Sequence, residues 1–201
     1  MGAAAVDLPP DAAGLLASGH LALLPTDTVY GIACAAADPD ACRRLYALKQ
    51  RPLSQATAIM TGSVGALARV LPELDDRITA ICRTLLPGPL TLIAPNPARR
   101  LRHVCGDRTD RIGVRVPVLD PAVAELADAV GGLLITSANE RGGADPAELA
   151  AVPASLAAAV AFAGDGGTLD GVPSSVIDVT APVPRVLRRG AGLERALELL
   201  R

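Results

Sequence analysis

Residues 21–49, LALLPTDTVYGIACAAADPDACRRLYALK, hold the pattern that decides the fold class. The aliphatic run Leu21–Leu24 has the length of a strand and ends at a polar turn. Further on, Asp38-Pro39 puts a capping carboxylate before a proline at the first helical position. Apolar residues then recur at helical spacing, at Ala41, Leu45 and Leu48. Strand, polar turn and helix in this order are typical of an α/β unit.

The rest of the chain continues this alternation. Helices are expected where apolar residues recur at helical spacing, over residues 74–85, 123–130 and 193–200. A short helix is expected at the capping-box pair Asp145 and Glu148. Strands are expected over residues 58–60, 90–94, 112–116, 133–135, 160–163, 176–179 and 185–187. The link from Ile177 to Val186 is too short for a helical crossover, so the sheet should mix parallel and antiparallel pairs.

Composition excludes several classes of protein. The 201 residues carry 19 basic and 21 acidic side chains, a formal net charge of −2, which argues against nucleic-acid binding by bulk charge. The length indicates one domain over residues 1–201, and the 50% hydrophobic content argues against intrinsic disorder. No apolar run reaches the roughly 18 residues that cross a membrane, and the first residues lack a secretion-signal pattern. The four cysteines form no C-x-x-C pair and indicate reduced thiols, so we expect a cytoplasmic protein.

Common catalytic and metal motifs are absent from the sequence. There is no P-loop G-x-x-x-x-G-K-[ST], no G-x-G-x-x-G after a strand and no G-x-S-x-G nucleophile turn. His103 and Cys105 stand two positions apart without a second ligand pair, so we expect no metal held by the protein alone. The chemistry must therefore come from short polar clusters at strand ends.

One such cluster, Lys49-Gln50-Arg51-Pro52, contains the only lysine of the chain. A point charge and a planar fork two residues apart can clamp a polyphosphate from two sides. The alternative is structural, because cations in the last turn of a helix complement its dipole and the proline ends the helix. Since every other cation is arginine, the single lysine favours the binding role.

Two further clusters follow predicted strands. The turn after Leu21–Leu24 carries hydroxyl groups, a carboxylate and Tyr30, one of only two tyrosines. Ser137-Ala138-Asn139 follows the strand at 133–135, and ligands of open α/β sheets bind beyond the carboxyl ends of strands. Each cluster is equally compatible with a turn closed by local bonds between side chain and backbone.

Arg115 raises a separate question, because it lies inside the apolar run Ile112–Val116. An unpaired buried charge is costly, so Arg115 needs an anionic partner in the protein or in a ligand. Pro173-Ser174-Ser175 precedes another predicted strand, and Arg188-Arg189-Gly190 follows one. Taken alone, each of these two clusters indicates a solvated strand end or a structural ion pair.

In their order along the chain, these clusters resemble the YrdC-like family of threonylcarbamoyl-AMP synthases, in its short single-domain form. The matching stretches are PTDTVYG (25–31), KQRP (49–52), PGPLT (87–91), GVRVP (113–117), SAN (137–139), PSSVID (173–178) and LRRG (187–190). The resemblance implies a twisted mixed parallel/antiparallel sheet flanked by helices, with a large concave cleft lined by positive charge. It also implies a reaction in which L-threonine, bicarbonate and ATP give threonylcarbamoyl-adenylate, pyrophosphate and water.

The resemblance assigns roles to individual residues as well. Those implied to bind ATP are Lys49, Arg51, Gln55, Ser137, Asn139 and Arg188, with Lys49 and Arg51 as the catalytic pair. Those implied to hold threonine are Thr28, Arg115 and Ser174. Mg²⁺ is implied to accompany ATP, and no tightly bound cofactor is expected. The product is implied to pass to a threonylcarbamoyl transferase that modifies adenosine in tRNA, with weak binding of tRNA or double-stranded RNA as a further expectation.

One stretch departs from the family pattern. Family members often carry Asn or Lys, then Pro-Leu and a His, where this chain runs from Gln55 to Met60. Two alternatives to the synthase therefore stay open. The first is a paralogue with the same ATP cleft and a different carbamoyl acceptor or donor. The second is a non-catalytic RNA-binding module that uses the arginine-rich stretch 99–111, although that stretch also fits a solvated loop over the cleft.

Overall fold

A computed structural model describes residues 5–200 of the chain. Its helices are α1 (Ala12–Ala17), α2 (Pro39–Leu48), α3 (Val64–Val70), α4 (Asp76–Leu85), α5 (Pro121–Ala129), α6 (Ala154–Ala157) and α7 (Leu193–Leu199), with 3₁₀ turns at Arg102–Val104 and Leu149–Ala151. Its strands are β1 (Ala22–Pro25), β2 (Tyr30–Ala35), β3 (Ile59–Met60), β4 (Leu90–Pro95), β5 (Arg111–Arg115), β6 (Leu133–Ser137), β7 (Phe162–Ala163), β8 (Ser175–Asp178) and β9 (Arg185–Arg188). Every helix within this range is too short or too polar to cross a bilayer.

The strands form one open sheet in the order β7-β1-β2-β6-β3-β5-β4-β8-β9. The pairs β1–β7, β3–β5 and β4–β8 are parallel, and the other neighbouring pairs are antiparallel. Ile177 lies opposite Val186 in the antiparallel pair β8–β9, which is the connection that the sequence marked as too short for a crossover. The predicted α/β fold with a mixed sheet flanked by helices is confirmed.

Strand β2 is an interior strand of the sheet that the sequence pattern does not predict. Apart from Tyr30 and Ile32, its residues are small, and it is buried along its whole length. It therefore shows neither alternation nor enrichment in β-branched residues. β2 pairs with both β1 and β6, and the register sets Gly31 opposite Ser137. The polar turn between β1 and β2 consequently lies beside the end of β6.

Aspartate side chains begin two helices as the Asp-Pro pairs predicted. The carboxylate of Asp38 accepts hydrogen bonds from backbone N–H groups in the first turn of α2. The carboxylate of Asp120 does the same for α5. The missing N–H of proline at the first helical position costs these helices nothing, because that group has no partner inside a helix.

The predicted capping-box helix at Asp145 and Glu148 is wrong. The carbonyl oxygen of Pro146 accepts a hydrogen bond from the N–H of Tyr30 at 2.9 Å, which ties this segment to β2. Asp145 accepts from the side-chain amide of Asn139 at 3.0 Å instead of capping a helix. Tertiary contacts override the local pattern here, and only the 3₁₀ turn at Leu149–Ala151 follows.

Helices cover the two faces of the sheet unequally. One face buries residues such as Leu23 and Leu92 in a core that also includes residues of α2, α4 and α7. On the other face, the core formed by α1 and α5 with Leu24 and Leu133 involves β1, β2, β3, β6 and β7 and, within residues 5–200, none of the remaining strands. The same face of β4, β5 and β8 lines a cavity of about 260 Å³. This uncovered half-face creates the space for a site.

Gly190 follows β9 and packs against the segment of Pro173 and Ser174, two residues that line the cavity. A Cβ atom at this position would lie 2.1 Å from the carbonyl oxygen of Pro173, a distance that atoms cannot tolerate. The glycine therefore lets the chain after β9 pass against the segment that leads into β8. This close approach gives a physical reason for the last glycine of the LRRG stretch.

We expect Gly190→Ala to lower the free energy of unfolding by about 1–3 kcal/mol, because backbone atoms must shift to admit the methyl group. Urea denaturation followed by circular dichroism measures the change. Gly14→Ala in α1 is the matched control, since no heavy atom lies within 4 Å of a Cβ there and alanine is the better helix former. Equal effects of the two substitutions would contradict the steric explanation.

Candidate active site

The cavity on the uncovered half-face brings together residues that are far apart in sequence. Of the nine residues that the family resemblance implied, the six that line it are Thr28, Arg51, Arg115, Ser137, Ser174 and Arg188. Lys49 and Asn139 line a second cavity, and hydrogen bonds connect the two through Ser137. Gln55 lines neither cavity among the described residues. Sequence reasoning therefore located most of one continuous polar region.

Arg115, at the end of β5, finds its anionic partner in Asp27. Its Nη2 donates to Asp27 Oδ1 at 2.9 Å and to Thr28 Oγ1 at 3.3 Å. The two charged side chains are 12% and 9% exposed, and burial lowers the pKa of Arg115 and raises the pKa of Asp27 against the opposing pull of the arginine. Within residues 5–200, Arg115 Nε and Asp27 Oδ2 have no hydrogen-bond partner. The guanidinium thus keeps donor capacity for a further anion.

Ser174 and Arg188 form another wall of the cavity. Ser174 Oγ lies 3.0 Å from Thr91 Oγ1 on β4. Arg188 donates to the carbonyl oxygen of Ser174 at 2.8 and 3.0 Å and to its Oγ at 3.1 Å. These acceptors are neutral, so the charge of Arg188 stays uncompensated near Arg115, whose pKa it helps to lower.

Lys49 ends α2 and reaches across to the end of β6. Its Nζ donates to the main-chain oxygen of Asn139 and, at 2.8 Å, to Asn139 Oδ1. Ser137 Oγ donates to the same Oδ1 at 2.8 Å, and Asn139 Nδ2 donates to Asp145 Oδ1 at 3.0 Å. Burial, followed by the nearby charge of Arg51, lowers the pKa of Lys49. Lys49 is 7% exposed, and its ammonium group donates to two neutral oxygens of Asn139.

Arg51 follows a left-handed residue, Gln50, whose φ of 49° turns the chain away from α2. The guanidinium donates to Thr136 Oγ1 at 3.3 Å and to the carbonyl oxygen of Ala56 at 2.9 Å, while Nε is buried and unpartnered among the described residues. Gln55 is exposed, and its carbonyl oxygen accepts a hydrogen bond from the hydroxyl group of Tyr46 on α2. A nucleotide contact from the Gln55 side chain therefore stays a prediction.

Four polar residues of the cavity were given no role by the sequence reasoning. Thr57 lines it from the loop before β3, Thr91 and Thr136 line it from β4 and β6, and Asp145 lines it from the segment beside β2. Thr91 ends the matching stretch PGPLT and Thr136 precedes Ser137, so adjacency to a motif was the available signal. For Asp145 the sequence indicated only a helix cap, which is not the role that this residue has in the structure.

The arginine-rich stretch 99–111 carries less free charge than its sequence indicates. Three of its five arginines form ion pairs: Arg100 with Glu73, Arg108 with Asp110, and Arg111 with Asp178. An RNA-binding surface needs unpaired cations to contact phosphates. The pairing therefore weakens the alternative of a non-catalytic RNA-binding module.

The spacing of His103 and Cys105 has a structural use in the fold. His103 Nε2 lies 2.8 Å from the carbonyl oxygen of Ala36, and Cys105 Sγ lies 3.6 Å from Asn96 Nδ2. Over residues 5–200, no three His, Cys, Asp or Glu side chains stand together as metal ligands.

The arrangement as a whole is suited to anions. Arg51, Arg115 and Arg188 face one cavity, beside hydroxyl groups and a single lining carboxylate from Asp145. No cysteine lines this cavity, and no serine in it is paired with a histidine in the part of the chain that the structure describes. The fold and the site together define an α/β protein whose sheet leaves, on its uncovered face, a cavity lined by arginines and hydroxyl groups.

Comparison with known proteins identifies the family. The Sua5/YciO/YrdC family model, described as telomere recombination, matches residues 14–190, and the chain belongs to this family. A Mycobacterium tuberculosis protein is 32% identical over 191 residues, which cover 94% of this chain and 87% of that protein.

Relatives from Pyrococcus abyssi add names and a structure. A protein named threonylcarbamoyl-AMP synthase is 32% identical over 180 residues, which cover 89% of this chain and 53% of the longer protein. The crystal structure of P. abyssi Sua5 complexed with L-threonine superposes with a TM-score of 0.80 at 30% identity, covering 94% of this chain and 56% of that one. The chain therefore spans about half the length of this archaeal relative and most of the mycobacterial one.

The buried pair of Arg115 and Asp27 should matter to stability more than a surface pair. We expect Asp27→Asn to lower the free energy of unfolding by about 3 kcal/mol, because Arg115 loses its anion while staying buried. Asp110→Asn is the control, since its pair with Arg108 is 54–61% exposed and screened by water. Chemical denaturation of both variants tests this, and a loss for Asp110→Asn as large as that for Asp27→Asn would contradict it.

Proposed function

We propose that this chain is a threonylcarbamoyl-AMP synthase that converts L-threonine, bicarbonate and ATP into threonylcarbamoyl-adenylate, pyrophosphate and water. One observation carries the proposal. Apart from Gln55, the residues implied for threonine and for ATP, although scattered along the chain, line one cavity or a second one that the Ser137–Asn139 hydrogen bond connects to it. The names of the family relatives support the same activity.

Threonine is proposed to occupy the part of the cavity near Arg115. Its carboxylate pairs with the unused donors of the guanidinium, which are already aligned by Asp27. The hydroxyl groups of Thr28 and Ser174 are placed to contact the polar atoms of the amino acid. Ile93 and Ile135 supply apolar lining for its methyl group.

ATP is proposed to bind along Arg51 and Arg188 in the first cavity and to reach Lys49 in the second one. Each of these cations is held by neutral oxygens rather than by a carboxylate among the described residues, so its charge remains available to phosphate. Ser137 and Asn139 fix the position of the Lys49 ammonium. Arg188 stands nearest to Arg115 and therefore faces the junction of the two substrates.

The reaction requires positioning and charge neutralisation rather than a protein nucleophile. The amine of threonine and bicarbonate form an N-carboxy group with loss of water. One oxygen of this group attacks the α-phosphorus of ATP, the bond to the β-phosphate oxygen breaks, and pyrophosphate leaves. Lys49, Arg51 and Arg188 neutralise charge on the phosphates as it develops. A cavity that excludes water also protects the labile carbamate and the mixed anhydride.

Mg²⁺ is proposed to enter with ATP. The donor set fits this role, because Asp145 is the carboxylate that lines the cavity and Thr136 and Ser137 add hydroxyl oxygens. Mg²⁺ in such sites keeps several waters and uses one or two carboxylates with substrate phosphates. When bound, the ion withdraws charge from the phosphates, while the residues of this chain orient both reactants.

Further partners follow from the chemistry of the product. A mixed anhydride is short-lived in water, so we propose that a transferase takes it up and modifies adenosine in tRNA. Contacts with tRNA are proposed to be weak, since the net charge of the chain is −2 and three of the five arginines of stretch 99–111 are paired with carboxylates. The protein is proposed to act in the cytoplasm, where ATP and tRNA are present.

One observation favours a second candidate, the paralogue with a different acceptor or donor. Ala56, Thr57 and Ala58 line the cavity in the stretch that departs from the family pattern. Met60, at the position of the family histidine, is fully buried in the helix-covered core and lines no part of the cavity. A changed wall is compatible with another small amine in place of threonine.

Release of pyrophosphate from Mg-ATP decides between the two functions. We expect release only when both L-threonine and bicarbonate are present, since the attacking oxygen belongs to the N-carboxy group. Lys49→Ala should reduce the rate by at least about a hundredfold, because a charge at the phosphates is lost. Arg69→Ala, on the surface helix α3, is the control and should keep the wild-type rate. Release that is indifferent to threonine would instead support the paralogue.

The lowered pKa of Lys49 predicts a particular pH profile. An ammonium binds phosphate only while protonated, and Lys49 loses its proton at a lower pH than an exposed lysine does. The KM for ATP should therefore rise with pH below the ordinary lysine pKa of about 10.4. Lys49→Arg should lack this rise, because the guanidinium stays charged. Parallel profiles for the two proteins would exclude Lys49 as the titrating group.

A further inference from the structure

Tyr30 is fully buried, yet its hydroxyl group forms hydrogen bonds with an irregular segment at the surface. The hydroxyl oxygen lies 2.9 Å from Asp165 Oδ1 and 2.8 Å from the carbonyl oxygen of Gly167, which are both acceptors. It accepts a hydrogen bond from the N–H of Gly166 at 2.9 Å. Burial raises the pKa of Tyr30 to about 12, so the donor proton is retained at neutral pH.

The segment that Tyr30 holds, residues 164–171, leads into the wall of the cavity. It passes so close to β1 that a Cβ at Gly166 would lie 2.9 Å from the Pro25 side chain. At its far end, the N–H of Gly171 donates to the carbonyl oxygen of Thr28 at 2.9 Å. Three residues later stands Ser174, which lines the cavity together with Thr28. The position of this segment therefore sets one side of the space near Arg115.

Tyr46 makes the corresponding connection on the other side of the site. It lies on α2, is 1% exposed, and its hydroxyl group donates to the carbonyl oxygen of Gln55 at 3.0 Å. Its ring lies beneath Arg51, with 5.8 Å between the guanidinium carbon and the ring centroid. The loop of residues 50–57 that it holds carries Arg51 and Ala56 into the cavity.

The chain contains only these two tyrosines, and both place a polar atom at the edge of an apolar core. A phenylalanine would fill either ring position, and a buried hydroxyl group is unfavourable unless it is bonded. The Tyr46 hydroxyl group bonds to a loop that lines the cavity, and the Tyr30 hydroxyl group bonds to a segment that leads into the cavity wall at Pro173 and Ser174. The free-energy cost of burying each hydroxyl group is therefore offset by its hydrogen bonds, which also hold the bonded segment in place.

We propose that Tyr30 and Tyr46 are positioning residues that act on opposite sides of the site, Tyr30 on the side implied for threonine and Tyr46 on the side implied for ATP. This inference rests on the proposed function for the identity of the two substrates. The anchoring itself depends only on the hydrogen bonds described above. Neither residue touches the reacting atoms, and each acts through the loop it holds.

Steady-state kinetics of Tyr30→Phe and Tyr46→Phe test whether each tyrosine acts on a different substrate. Each variant serves as the control for the other. Both changes keep the buried ring and delete one hydroxyl group. Tyr30→Phe should raise the KM for threonine about three- to tenfold and leave the KM for ATP within a factor of about two. Tyr46→Phe should do the reverse. A purely structural role would lower stability or kcat in both variants without separating the two KM values, and that result would overturn the proposal.

Hydrogen exchange tests the anchoring without any turnover. Amides of residues 164–168 should exchange about tenfold faster in Tyr30→Phe, and amides of residues 50–57 about tenfold faster in Tyr46→Phe, with no change in the opposite loop. Unchanged exchange in both loops would refute the anchoring. If the wild-type protein released no pyrophosphate with any substrate set, the proposed function would fail while the exchange data still decided the anchoring.

Discussion

The register between β2 and β6 is the constraint on which the site depends. Gly31 stands opposite Ser137, so the turn that carries Thr28 is brought next to the end of the strand that carries Ser137. A Cβ at Gly31 would lie 2.6 Å from the Ile135 side chain, which shows how closely the two strands pack there. A slip of one residue would turn every side chain of β2 to the opposite face and separate the two clusters. The remaining strands extend the sheet from this pair, and helices α1 and α5 cover only the half that contains it.

The uncovered half-face explains why the functional residues lie on strand ends and alternate strand positions. Thr91 and Ile93 of β4 point to the cavity, while Leu90 and Leu92 point into the core on the other side. In a strand with one buried face and one open face, alternate residues are free to be polar without loss of packing. Gly113 of β5 also lines the cavity. A Cβ at this position would lie 3.1 Å from Ala58, so this part of the cavity wall is backbone without a side chain.

Much of this architecture follows from local sequence, and the exceptions have physical causes. The Asp38 and Asp120 caps and the β8–β9 hairpin depend on neighbours in sequence, and they were predictable. Strand β2 was not, because a strand buried on both faces and built from small residues lacks the alternation that marks a strand. The partner of Arg115 was not either, since Asp27 lies 88 positions away and nothing local connects them. The residue types of the site were predictable from their polarity at strand ends, whereas their hydrogen bonds required the tertiary structure.

The cations of the cavity are held in a way that bears on function. Some surface arginines, Arg100 and Arg108 among them, are paired with carboxylates that balance their charges. Lys49, Arg51 and Arg188 are held instead by amide, carbonyl and hydroxyl oxygens, which fix their geometry and leave the charge in place. A chain with a net charge of −2 thus places unbalanced positive charge in the walls of two cavities that the Ser137–Asn139 hydrogen bond connects. Cations that repel one another at close range make the empty site unfavourable, and a polyanionic ligand removes that repulsion when it binds. The same logic limits binding to small anions, because a long polyanion such as RNA requires free charge spread over a surface.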